Sequence, residues 1–449
     1  MGKRFLISLA LVVAIIAIIT AGAALLFSGR YDTLSEQQSP EVTAAAPTLS
    51  SDLSAQSAAP VPTAPPAEAS SAPETSVSEP TESEAPTVSD QISTPSTEDY
   101  STRAASILET MTLEEKICQM LFVRPEVLTG YGRVTQCGEA TRDSLAQYPV
   151  GGIIYFSDNL ISVEQTTDML EQIQAYSMEL TGRGLFLGVD EEGGTVARAA
   201  DSLGTTAFED MRVYGDAGDP QKAYEIGSTL AADLKALGFN IDFAPVADVL
   251  TNEENTVVKY RSFGSDPELV ASMVSQEVKG LMDGGMLCAP KHFPGHGSTG
   301  GDTHDGFVST DRTLEELERC DLLPFQAAIE AGVPMIMVGH MTMTEIDSEN
   351  PASLSHAVVT DLLRTQLGYD GIVITDGLDM GAIADSYSVG ETAVNAIGAG
   401  CDMLLCITDI PAAVDAVTEA VADGTLSEDS INQSVTRILS AKLQYGIIP

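Results

Sequence analysis

Residues 291–304 read Lys-His-Phe-Pro-Gly-His-Gly-Ser-Thr-Gly-Gly-Asp-Thr-His, and they gather side chains that move protons or hold charge. Three of the chain's five histidines, His292, His296 and His304, fall in this window. A carboxylate two residues from an imidazole, as Asp302 is from His304, can orient the ring and keep it basic near neutral pH. That is the chemistry of a proton shuttle. Imidazoles in clusters also ligate metals, and the residues alone leave this choice open. Pro294 and four glycines make the segment a loop rather than regular structure. A second candidate is Asp376, which ends the cleanest apolar run of the chain, Gly371-Ile372-Val373-Ile374-Thr375, and is followed by Gly377. Taken alone, an Asp there reads as a helix cap, a turn residue or a nucleophile.

Such groups need a scaffold, and the texture from residue 100 onward supplies one. Eight short apolar runs recur at 119–123, 151–156, 185–189, 239–246, 286–290, 334–338, 371–375 and 402–406. Amphipathic stretches such as 164–180, 221–237, 265–284 and 313–331 separate most of them. Strand-helix alternation repeated eight times predicts an α/β fold with a parallel sheet closed as a (β/α)₈ TIM-type barrel; a doubly wound open sheet is the alternative, because periodicity does not show closure. Arg124, Asp158, Asp190, Asp248, Lys291-His292, His340 and Asp376 each follow the C-terminal end of a run, where barrel enzymes gather their reactive groups.

Six motifs in order resemble the β-N-acetylhexosaminidase branch of glycoside hydrolase family 3. The 291–304 window is similar to its K-H-F-P-G-H-G and D-[ST]-H pattern, and Val189 to Gly194 with Arg198 is similar to its D-x-E-G-G-x-V-x-R. Asp242 to Asp248 resembles D-F-A-P-V-x-D, Arg261 to Gly264 resembles R-[SA]-F-G, and Thr375-Asp376 resembles the nucleophile strand. The match runs from about residue 105 to the C-terminus. It implies Asp376 as nucleophile, His304 oriented by Asp302 as acid/base, and Asp190, Arg198, Arg261, Lys291 and His292 as sugar-binding residues, with neither metal nor cofactor. The bland reading of the last five is a buried ion-pair network, to which Arg198 is the most open. His296 reads as shaping its loop, His340 and His356 as structural, and Asp379 as first-turn helix decoration. Thr195 and Ser298 depart from the family's usual Arg and Asp, which puts fine substrate contacts in doubt.

The implied reaction is exo-acting, retaining hydrolysis of terminal β-linked N-acetylglucosamine from peptidoglycan fragments or chitooligosaccharides. Three rivals stand beside it. A family 3 β-glucosidase draws its acid/base carboxylate from a second domain, for which the 73 residues after Asp376 leave no room. A phosphorylase would use the same dyad with inorganic phosphate as acceptor. A non-catalytic, wall-anchored sugar-binding module should lack Asp376, Asp302 or His304.

Composition sets the surroundings. Lys3-Arg4 precede a charge-free apolar run from Phe5 to Phe27, long enough as a helix of ~34 Å to cross a bilayer. Residues 1–30 therefore read as an uncleaved signal-anchor, with secretion as the outcome if Ala21-Gly22-Ala23 is cut. Residues 31–99 carry twelve acids and no Lys or Arg among Ser, Thr, Pro and Ala, the composition of a disordered linker. Residues 100–449 then form the single catalytic domain, outside the membrane and expected as a monomer. The net charge of −43, of which −34 belongs to residues 100–449, repels nucleic acid and suits a neutral substrate. Six cysteines without metal spacing read as small core residues, with disulfides possible in an exported chain. Tryptophan is absent, so any sugar stacking falls to Tyr or Phe.

Overall fold

The computed structural model describes residues 97–303 and 306–449. Its eight principal strands are β1 (Leu121–Val123), β2 (Gly152–Ile154), β3 (Phe186–Val189), β4 (Ile241–Asp242), β5 (Leu287–Cys288), β6 (Met335–Val338), β7 (Ile372–Thr375) and β8 (Leu404–Leu405). Each lies inside one of the eight apolar runs. The pairing is parallel throughout, in the order β8-β1-β2-β3-β4-β5 and β6-β7. Single parallel bridges supply the two remaining joints, Phe293 to Val338 between β5 and β6 and Ile374 to Met403 between β7 and β8. Backbone hydrogen bonds hold them, Phe293 N to Met337 O at 2.8 Å and Thr375 N to Met403 O at 3.1 Å. The strands thus run round a ring, a TIM-like α/β fold rather than an open sheet.

A helix follows every strand: α1 (Glu139–Gln147), α2 (Val163–Thr181), α3 (Pro220–Leu237), α4 (Pro267–Asp283), α5 (Leu323–Glu330), α6 (Ala357–Gln366), α7 (Val389–Ala399) and α8 (Ile410–Asp423). Their limits follow local chemistry. Ser162 accepts from Gln165 N to start α2, and Gly182 ends it in the left-handed region. Asp219-Pro220 and Asp266-Pro267 start α3 and α4, the Asp accepting a backbone N–H and the Pro placed where no helical donor is needed. The 313–331 stretch breaks in two, Leu314–Arg319 and α5, because Pro324 cannot continue a helix through its missing N–H. A last helix, α9 (Glu428–Gln444), packs on a leading helix, Thr97–Leu108, which begins just before the boundary read from composition.

The ring interior is filled by side chains. Phe122 lies 6.4 Å from Phe186 and meets Phe243 edge-on at 5.3 Å. Two strand glycines make that possible: a Cβ on Gly152 would fall 2.7 Å from the Phe122 ring, and one on Gly188 would fall 2.8 Å from Phe243. All six cysteines are free thiols, and four of them are buried, so the possible disulfides do not form. Among the described residues no helix is long and apolar enough to cross a membrane; the anchor reading of residues 1–30 lies outside them.

Candidate active site

The C-terminal strand ends converge on a cavity of about 390 Å³, a size suited to one small ligand. Arg124 follows β1, Phe156 follows β2, Asp190 and Glu192 follow β3, Lys291 and His292 follow β5, Asp376 follows β7 and Cys406 follows β8, and all of them line it. Arg198, Arg261, His296 and Asp379 complete the charged and polar lining. The five residues implied as sugar-binding and the implied nucleophile therefore share one pocket. Asp158, by contrast, is exposed and does not line it. His304 lies outside the described residues. Asp302 and Thr303 are described, and Thr303 lines the cavity.

The floor is a set of paired charges. Lys291 is buried between Asp190 and Glu192, with Nζ 2.7 Å from each. Arg261 donates Nε and Nη2 to the two oxygens of Glu192, both at 2.7 Å, the geometry in which a guanidinium grips a carboxylate most firmly. Burial alone would raise the Glu192 carboxyl, but Arg261 and Lys291 hold it well below the usual range. Glu192 holds two cations of the pocket at once. The sequence signal for it was present, inside the Asp190 motif, but its role shows only when Arg261 and Lys291 are brought to it from other strands.

Asp248, equally unassigned from sequence, organises the loop. It is fully buried and accepts from the backbone N–H of His292 (3.3 Å) and of His296 (2.6 Å) on one oxygen. Its other oxygen takes the Nδ1–H of His292 at 2.7 Å, which fixes the imidazole tautomer and leaves Nε2 for the cavity. The Lys291–His296 segment is thus pinned from below. His296 does more than shape that loop, since its ring also lines the cavity, 5.8 Å from His292.

Asp376 stands apart from these pairs. Among the described residues no Lys or Arg forms an ion pair with it, and Gly377 N donates to its Oδ1 at 2.7 Å. Burial would raise its carboxyl, yet His292, His340, the Gly377 amide and Lys291 outweigh this and hold it down at about 2. It is an ionised carboxylate at neutral pH facing a cavity, which is what a nucleophile requires. His340 lies beneath it. Because the Gly377 carbonyl only accepts, Nε2 carries the proton it receives at 2.9 Å, while Nδ1 meets the Ser353 hydroxyl at 2.8 Å. Burial lowers His340, with Asp376 pulling the other way. Asp379 is not helix decoration: it precedes the helix at Gly381, lines the cavity and faces Arg124 at 3.5 Å.

An ionised carboxylate above a floor of charge-assisted donors, on the C-terminal face of a TIM-like ring, is an arrangement suited to glycoside hydrolysis. Residues 112–441 match the glycosyl hydrolase family 3 N-terminal domain, and the chain belongs to that family. It is similar to the beta-hexosaminidase of Chromobacterium violaceum, 38% identical over 290 residues that cover 63% of this chain and 79% of that one. Beta-hexosaminidase LpqI of Mycobacterium tuberculosis is 36% identical over 309 residues, covering 66% and 77%. Among solved structures, the family 3 β-N-acetylglucosaminidase of a Paenibacillus species superposes with a TM-score of 0.71 at 37% identity, covering 75% of this chain and 63% of that one. The β-N-acetylhexosaminidase of Beutenbergia cavernae gives 0.65 at 30% identity, covering 74% and 98%.

Proposed function

We propose that this chain is an exo-acting, retaining β-N-acetylhexosaminidase that releases terminal β-linked N-acetylglucosamine from peptidoglycan fragments or chitooligosaccharides. The observation that carries this reading is Asp376, an ionised carboxylate without a cationic partner among the described residues, set in a cavity whose other carboxylates are engaged. Asp376 attacks the anomeric carbon from one face of the sugar and forms a covalent glycosyl-enzyme. His304, oriented by Asp302, protonates the leaving oxygen and then takes a proton from water as the intermediate hydrolyses. Asp190, Lys291, Arg261 and the Nε2 of His292 bind sugar hydroxyls, and Arg198 adds a further donor. The names of the relatives support the N-acetylglucosamine specificity. Residues 100–449 form the catalytic domain, held outside the membrane by the signal-anchor of residues 1–30 and the linker of residues 31–99.

The test is release of p-nitrophenol from the N-acetyl-β-glucosaminide, with the β-glucoside beside it and with and without phosphate. Turnover of the acetamido substrate alone, indifferent to phosphate, is expected. Sugar-1-phosphate as product would replace the hydrolase by a phosphorylase, and silence on every glycoside from a folded protein would favour a binding module.

A further inference from the structure

Three consecutive acids, Asp190, Glu191 and Glu192, follow β3, and the alternation of an extended chain turns the middle one away from the other two. Asp190 and Glu192 line the cavity and share Lys291. Glu191 does not line it and is buried in protein. The strand Glu191–Gly193 pairs antiparallel with Val196–Ala197, which sets Glu191 opposite Ala197. Ala197 is the cap position of the short helix Arg198–Leu203, and its methyl group cannot accept from a backbone amide. Glu191 does so from across the hairpin: Oε2 accepts from Ala199 N at 2.6 Å and Oε1 from Ala200 N at 3.0 Å. Its own backbone N–H is held by Asp242 Oδ1 at 3.0 Å, on the neighbouring strand β4. Arg198 opens the helix that is fixed in this way, and its side chain lines the cavity. Little else aims it. Its Nε is buried without a hydrogen-bond partner among the described residues, and its guanidinium stands 5.9 Å from the Phe156 ring, near the outer limit of a cation–π contact.

We infer that Glu191 is a positioning residue for the hydrolase: by capping the helix that opens with Arg198, it sets that guanidinium where it can bind the sugar. This rests on the hydrolase reading above, in which Arg198 is a sugar donor, and gives a role to an acid that the reading leaves unassigned. Glu191 occupies the unspecified position of the D-x-E-G-G pattern, so the motif itself does not point to it. A cation gripped by its own carboxylate, as Arg261 is by Glu192, is held at its head. Arg198 has no such grip, so its place follows from its backbone. Without the two Glu191 oxygens the Ala199 and Ala200 amides lose their acceptors, the first turn of the helix loosens, and Arg198 moves with it. Glu191 touches no substrate and acts only through Arg198.

The test is a double-mutant cycle on the full chain, read by turnover of the p-nitrophenyl N-acetyl-β-glucosaminide and, independently of turnover, by calorimetric binding of N-acetylglucosamine. Arg198→Ala should lower kcat/KM about ten-fold, mostly through KM. Glu191→Ala should do nearly the same in the wild-type background. In the Arg198→Ala background it should change kcat/KM by less than about two-fold, because the group it positions is gone. Glu191→Gln keeps the shape of the side chain and an acceptor for one of the two amides, so it should restore part of the loss and show the same dependence on Arg198. The dissociation constants should follow the same pattern. Additive effects, about a hundred-fold in the double variant, overturn the positioning role and leave the hydrolase intact. A lowered thermal midpoint with KM unchanged per folded molecule does the same, since it makes Glu191 a structural acid only. If the folded wild-type chain binds N-acetylglucosamine but cleaves no glycoside, the hydrolase reading fails, and the binding cycle alone decides the positioning role, coupled effects upholding it and additive ones overturning it. Neither turnover nor binding by the folded chain overturns both.

Discussion

Charge is buried at both ends of the strand ring, and the two ends use it differently. Where the strands begin, Asp402 is fully buried between Arg364 and Arg437 and also accepts from Val373 N. Nearby, Lys442 donates to Gln119 Oε1 at 2.9 Å and lies 5.0 Å over the Phe186 ring, with burial lowering its pKa well below the usual range. Asp402 and Lys442 are closed off by protein, while Arg437 is a quarter exposed and borders a pocket of about 570 Å³ in which Asp370 also pairs with it. Where the strands end, Glu192, Lys291 and Arg261 are as tightly paired, but they border a cavity and leave Asp376 and Arg198 without an ion-pair partner among the described residues. Buried ion pairs by themselves indicate little about function, because structural networks look alike. What separates the two ends is the charge left over and the space it faces.

That contrast can be broken by mutation. Asp376→Ala should lower kcat by at least about 10⁴-fold while leaving the unfolding midpoint close to wild type, read by glycoside turnover and denaturant titration. A large loss of stability with it would make Asp376 one more structural acid. Asp402→Ala should do the reverse, costing about 3 kcal/mol by stranding Arg364 and Arg437, with kcat per folded molecule unchanged. Should its kcat fall as far as that of Asp376→Ala, the two ends would not be functionally distinct.

A smaller effect concerns Glu277 on α4, buried with neither oxygen hydrogen-bonded. Burial, then Glu192, pushes its carboxyl up to about 8 from 4.5. The folded state therefore keeps a proton that the unfolded chain loses. Stability from this group is fully present below about pH 4.5 and declines as pH rises through about 8. Glu277→Gln should flatten the fall in thermal midpoint between pH 5 and 8; an unchanged slope would assign the decline to other groups.

The sequence carried the ring well because its signal is local. Each strand is a short apolar run bounded by turn residues, and each of the long crossover helices α2, α3 and α4 is capped by its own Ser or Asp. Local signals miss what is assembled across strands. Asp248 was visible at a strand end, but nothing in its neighbourhood shows that it receives two backbone amides and the His292 ring. Glu192 looked like a neighbour of Asp190 until Lys291 and Arg261 reached it. Asp379 reads as helix decoration because it lies three residues after Asp376, where a first helical turn is expected, whereas the helix begins only at Gly381. Arg198, the residue most open to a structural reading, is the one of the five without an ion-pair partner among the described residues.

The central claim is that Asp376 forms a covalent bond to the sugar. It is tested most directly by incubating the protein with a 5-fluoro analogue of the N-acetyl-β-glucosaminide that slows hydrolysis of the intermediate, followed by proteolysis and mass spectrometry. One fluorinated N-acetylhexosaminyl residue is expected on the peptide that contains Asp376, disappearing as activity returns. An adduct on a different carboxylate, or steady turnover that releases the α-anomer with no adduct, would contradict it.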